Sequence, residues 1–242
     1  MFQAVNKQSV SDVVFDQLRD RIVNQELKAG AELPSERLLC ELLNVSRNGL
    51  REAIKRLQQA GLIEVRHGGA TTVLDYRAEA GPELLPSLLV DAGGNIQVPV
   101  ARSILRMRQV LSPEIAADAA VFGGATVADE LDVLIAQMGG ANDAAQLQQL
   151  ALSYWGTLVE GSGNIAYRLA FNSLRKTYQH IWGLLTQMLA GEFSDTESFR
   201  SIAAAVRAGD RQAAFTSAKA YIDQNSAVLE QFLDAYERQA RA

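Results

Sequence analysis

Between residues 33 and 74 the apolar positions change their period twice. Leu38, Leu39, Leu42 and Leu43 recur at helical spacing, and Pro34-Ser35 stands where such a helix would open. Asn44-Val45-Ser46 interrupts the run. A second helix then sets Leu50, Ile54 and Leu57 on one side and Arg47, Arg51 and Lys55 on the other, and stops at Gly61. Leu62–Arg66 and Thr71–Leu74 read as short strands joined by His67-Gly68-Gly69-Ala70. Two helices across a tight turn, then a glycine-tipped hairpin, is the order of a winged helix-turn-helix. A further helix is predicted ahead of it over Ser11–Asn24.

Beyond the hairpin the pattern changes. Gly81-Pro82, Pro86, Gly93-Gly94 and Pro99 punctuate residues 75–99, leaving room for a short helix around Glu83–Val90. From Val100 the recurrence is helical nearly to the end, over 100–121, 127–138, 144–160, 164–190, 194–208 and 210–240. The reading is a mostly α chain with a small β wing. Residues 1–76 form the winged helix-turn-helix, 77–99 a linker with a short helix, and 100–242 an antiparallel all-helical domain of six or seven helices.

The charges make the first unit a DNA reader. Ser46 is a good N-cap, and the helix behind it begins Arg47-Asn48-Gly49, polar and small enough to approach base edges. Arg47 and Arg51 lie four apart and share a face, able to reach guanine edges or phosphates together. Arg37, at the start of the preceding helix, is placed to hold the DNA backbone. Arg66, His67 and Gly68 place the wing to enter a minor groove, where glycine lets the backbone come close. The overall charge of −5 is unevenly divided: residues 1–77 carry +1 and 78–242 carry −6. The acidity belongs to the second half, and the first relies on local arginine placement, which predicts strong salt sensitivity.

Inventory excludes rival classes. The chain has two histidines, His67 and His180, and a single cysteine, Cys40, so neither a disulfide framework nor a histidine-based nucleophilic site can be assembled. No phosphate loop or framed carboxylate pair occurs, and the chain is not read as an enzyme. No run approaches the ~20 apolar residues of a membrane span, and Met1–Val10 is no signal peptide. The expectation is a cytoplasmic protein with no membrane partner.

SERLLCELLNVSRNGLREAIKRLQQAGLIEVRHGG closely resembles the N-terminal domain of GntR-family transcription regulators. Its P-S-E-R, V-S-R-x-x-L-R-E-A-I-x-x-L and G-L-I stretches match the family pattern, as do the opening helix and Leu27-Lys28-Ala29-Gly30. Gly49 departs from it: the family usually has a polar or β-branched residue there. Glycine costs about 1 kcal/mol of helix stability against alanine and removes a base contact, so a different operator preference is expected. The second half resembles the helical effector domain of the FadR branch, through Arg108-x-x-Leu111-x-Pro113, Gly161-Ser162-Gly163-Asn164 and Ala205-Val206-Arg207-Ala208-Gly209-Asp210.

Many such domains bind a divalent metal through one aspartate and three histidines. By resemblance those positions are Ala151, Trp155, Phe199 and Tyr221, which lack usual ligand atoms apart from a weak case for the tyrosine. No metal and no cofactor are expected. A small residue and three aromatics instead suit an apolar guest, and the fatty-acid regulators of this branch likewise lack the metal set. The resemblance therefore implies a homodimer on a pseudo-palindromic operator of double-stranded DNA, controlled by a long-chain acyl-CoA or fatty acid. The expected effector residues are Arg108, Ala151, Trp155, Tyr178, Phe199, Tyr221 and Asn225. Three alternatives stand: the aromatics merely fill a core, a small organic acid is sensed through Arg108 with Arg102 and Arg106 nearby on one helix, or the protein is purely architectural on DNA. A long apolar pocket favours the acyl chain, and a short one ending in an arginine favours the acid.

Overall fold

Ser9 opens the first helix of the computed structural model, which describes residues 9–66, 70–180, 183 and 190–240. Its side chain accepts from the Asp12 backbone N–H while the Asp12 carboxylate accepts from the Ser9 N–H, each at 3.1 Å. This capping box starts α1 (Val10–Val23). Ser35 and Ser46 cap α2 (Glu36–Leu43) and α3 (Arg47–Gln59) through the serine oxygen alone, which accepts from the Leu38 and Gly49 N–H. Asn44, at φ 52°, supplies the left-handed residue of the turn between them. Gly61 ends the α3 segment at φ +68°, and a Cβ there would lie 3.0 Å from Ala80 Cα, so both conformation and space call for glycine.

The wing strands β1 (Ile63–Val65) and β2 (Thr71–Val73) pair antiparallel, Ile63 opposite Val73. Residues 30–33 pair with the other edge of β2: Gly30 donates to Val73 O, Val73 to Ala31 O and Leu33 to Thr71 O. So short an extended segment carries no periodicity, and nothing in the local pattern marks it as a strand. His67 and Gly68 lie outside the described residues.

The core beneath these elements joins Val14, Phe15, Leu18 and Ile22 of α1 to Leu50, Ala53, Ile54 and Leu57 of α3, with Leu39, Ile63, Val73 and Leu84. Arg56 ties α3 to α1, its guanidinium over the Phe15 ring at 4.5 Å and 2.5 Å from Asp12. Of the four leucines expected along α2, Leu39 is buried and Leu43 half-buried, while Leu38 and Leu42 are exposed. The helix has only eight residues and packs mainly on α3, so one side stays uncovered. The stretch read as a linker carries α4 (Tyr76–Glu79), a 3₁₀ turn at Pro82–Leu84 and α5 (Leu85–Leu89). The compact unit holding it runs to Gln97.

The second unit, from Val98, consists of helices and short connections, with no strand among its described residues. It comprises α6 (Val98–Phe122), α7 (Gly124–Gly139), α8 (Ala144–Gly161), α9 (Ile165–His180), α10 (Ala190–Ser194), α11 (Thr196–Ala208) and α12 (Arg211–Ala240). The long α12 lies along α6, and α11 crosses α7. α8 runs through the middle, touching α6, α7, α9 and α10. Arg102 of α6 reaches Glu230, Asp234 and Glu237 of α12 at 3.2, 2.5 and 3.3 Å, fastening the two longest helices together. Among the described residues no helix is long and apolar enough to cross a membrane. Most of 181–189, inside the helix expected over 164–190, lies outside the described residues.

Candidate nucleic-acid interface and effector cavity

α3 turns Leu50, Ala53, Ile54 and Leu57 into the core, which leaves Arg47, Asn48, Arg51 and Lys55 on the exposed side. Arg47 makes no ion pair among the described residues. Arg51 Nε lies 2.9 Å from Glu36 Oε2, Arg37 pairs with Glu41 at 3.3 Å, and Arg66 with Glu64 at 2.9 Å. All three arginines are well exposed, so these pairs are worth at most about 1 kcal/mol each and exchange readily for phosphate oxygens. Ser46 is occupied by capping, its hydroxyl accepting from the Gly49 N–H at 3.3 Å. Gly49 faces α1, and a Cβ there would meet Val10 Cγ1 at 3.3 Å. Glycine at this point lets α1 approach the start of α3, a reason the sequence could not supply.

In the helical unit, Ala151 and Trp155 of α8 and Tyr221 of α12 come together with Arg108 of α6 and Tyr178 of α9 on the wall of one cavity. Its volume is about 60 Å³. Leu111, Ile115, Leu152, Phe171, Leu174 and Phe193 make the rest of the lining mostly apolar. Two of the expected residues do not line it. Phe199 is wholly buried behind Tyr221, ring centres 5.0 Å apart, and stacks on Tyr154 at 4.6 Å. Asn225 donates to Tyr221 O at 2.7 Å within α12 and is consumed by its own helix. The metal-ligand positions inferred by resemblance do converge, Trp155 and Tyr221 having ring centres 6.2 Å apart. A methyl group and three rings do not fit a divalent ion, and no cluster of three or more His, Cys, Asp or Glu occurs among the described residues.

Glu192 of α10 went unnoticed in the sequence. It pairs with Arg108 across 84 residues, the two side chains 2% and 11% exposed. Burial opposes the charge on Arg108, but the Glu192 carboxylate, with Tyr178 and Tyr221 beside it, more than offsets this and holds the guanidinium above the usual arginine range. Burial likewise pushes the Tyr178 and Tyr221 phenols up. Arg102 is engaged with three acids and Arg106 is exposed, so of these three arginines Arg108 alone lines the cavity. Gln148 also borders it, buried at 2% exposure.

Comparison with known proteins agrees with this two-part construction. Residues 10–73 match the family of bacterial regulatory proteins called gntR, and residues 103–224 match the FCD domain. The HTH-type transcriptional regulator Mce2R of Mycobacterium tuberculosis is 38% identical over 208 residues, covering 86% of each chain. The fatty acid metabolism regulator protein of Proteus mirabilis is 25% identical over 187 residues, covering 73% of this chain and 72% of its own. A solved structure, described as the Lar protein that controls expression of the Listeria monocytogenes agr system, shares the fold at a TM-score of 0.59 and 15% identity, over 94% of this chain and 99% of its own. The relatives are transcriptional regulators rather than enzymes, and the chain belongs to the gntR family as a DNA-binding transcription regulator with a FadR-like FCD effector domain.

Proposed function

We propose that this regulator binds a pseudo-palindromic operator as a homodimer and that a long-chain acyl-CoA or fatty acid, held in the helical domain, sets its operator affinity. The observation that carries the effector reading is the cavity between α6, α8, α9 and α12, apolar over most of its wall and without a cluster of metal-ligating side chains among the described residues. The fatty acid metabolism regulator among its relatives supports the same chemistry. Arg47, Arg51 and Arg37 read and hold the DNA in this reading, with Asn48 beside them and Arg66, His67 and Gly68 in the wing. One helix-turn-helix covers a short half-site, so two-fold pairing supplies the remaining affinity and selectivity. The effector acts by binding one dimer arrangement better than another. A tenfold change in operator binding needs about 1.4 kcal/mol of such preference, little beside roughly 0.8 kcal/mol for each methylene buried.

The cavity's size favours a second reading. About 60 Å³ is well below the ~300 Å³ at which ordinary ligand pockets begin, and Arg108 stands on its wall, as a site for a small organic acid would have it. An acyl chain requires the bundle to open. Titration of the protein–operator complex with acyl-CoAs and fatty acids of increasing length decides between them, with native mass measurement counting the chains bound. Release that grows with chain length is expected. A flat response, with release by a short organic acid instead, overturns the acyl reading, and one chain per half-site without pairing overturns the dimer.

A further inference from the structure

Two of the residues that line the helical-domain cavity carry a buried polar atom without a hydrogen-bond partner: the Tyr178 hydroxyl and Glu192 Oε2. Glu192 is among the most deeply buried charged side chains described, at 2% exposure, and its other oxygen is committed to Arg108. The remaining atoms of this kind, on Arg19 and Ser226, do not line the cavity. A buried polar group left unmet is costly. Two of them on residues of a mostly apolar wall mark where the polar end of a ligand belongs.

The two atoms ask for different things. Tyr178 keeps its proton, since burial raises its pKa above the ordinary phenol value, so it has an O–H to donate. Glu192, already the anion of an ion pair, can only accept. A hydroxyl group answers both, donating to Glu192 Oε2 and accepting from Tyr178. A carboxylate answers Tyr178 only, and it places a second negative charge beside Glu192 where the one guanidinium is already neutralised. We propose that this end of the cavity selects an uncharged, hydroxyl-bearing head, so that the effector is an apolar molecule carrying an alcohol group and not a free carboxylate. This rests on the reading of the cavity as the site of an apolar effector, and it sets aside the free-acid forms of that effector, the fatty acid and the small organic acid alike.

Calorimetric titration of the full chain with 1-octanol and with octanoate at neutral pH tests it. The alcohol is expected to bind about tenfold more tightly than the acid, the ratio that one well-met hydrogen bond supplies. Tyr178→Phe removes an atom that has no partner in the fold, and it should weaken the alcohol severalfold with little change in melting temperature. Glu192→Gln should narrow or invert the ratio, because Arg108 is then free to pair with the acid. If that variant does not fold, the wild-type ratio and Tyr178→Phe decide. Octanoate binding as tightly as octanol or tighter overturns the head-group assignment while leaving an apolar effector site in place. Failure of both probes to bind wild-type protein overturns the effector-cavity reading and this inference with it.

Discussion

Arginine carries the argument at both candidate sites, and its environment gives it opposite roles. Arg47 is exposed, without an ion pair among the described residues, and stands on the free side of the second helix-turn-helix element. If it reads a base, Arg47→Ala costs about 1–3 kcal/mol of operator affinity and relaxes sequence preference; operator binding at fixed salt measures both, and unchanged affinity and preference sink the assignment. Arg108 is sealed against Glu192. Arg108→Ala leaves a buried carboxylate alone and should destabilise the protein by about 3–5 kcal/mol in denaturant unfolding, whereas Arg108→Met combined with Glu192→Leu should recover much of that loss. Equal losses in the single and double variants would contradict a true buried ion pair.

Caps and close approaches decide how the elements of the DNA-binding unit sit together. Gly49 lies in the first turn of α3, where alanine would gain about 1 kcal/mol of helix propensity. A Cβ would press on Val10 Cγ1 at 3.3 Å, so the gain should fall short. Gly49→Ala is expected to stabilise more in a Val10→Ala background than in the parent, and identical effects in the two would remove the contact as the reason for glycine. At the other end of this junction, Asp12 is held below the ordinary aspartate range by its hydrogen bond from Ser9 and, against burial, by Arg56. A carboxylate with a depressed folded pKa contributes stability above its unfolded value of 3.8, and the contribution disappears as pH falls through the folded value. Asp12→Asn should therefore destabilise at neutral pH and do so progressively less below 3.8 in acid unfolding. A pH-independent effect would assign Asp12 a purely local capping role. Asp16, raised by burial, works in the opposite sense and is relieved as pH falls.

The molecule as a whole combines a DNA-binding unit of nearly balanced charge with an acidic helical unit that carries Ala151, Trp155, Phe199 and Tyr221 at the positions the resemblance marks for metal. Chelation should leave both the melting temperature and operator binding unaltered, since Ala151, Trp155 and Phe199 offer no ligand atoms. Stoichiometric zinc, nickel or manganese in the purified protein would show that the metal is held elsewhere.

Periodicity, caps and turn residues are interactions over one to four residues, and they specify α1–α3, the wing and most bundle helices within about three residues, whereas the short α10 was not separated from the helix expected over 164–190. The same local logic put Arg47 and Arg51 on one face and, through the family's spacing, brought Ala151, Trp155 and Tyr221 together. Three features depended on how separate elements pack. The 30–33 segment became a sheet edge because β2 offered it unpaired backbone groups. Phe199 went behind Tyr221 because of the rotation of α11 against its neighbours, which spacing within one helix does not set. Glu192 met Arg108 because α10 closes on α8 beside α6, and a partner 84 residues away leaves no trace in local pattern. Element identity and the exposed arginine face of α3 were thus written along the chain, whereas the polar side of the cavity, Arg108 against Glu192, exists only once the bundle has closed.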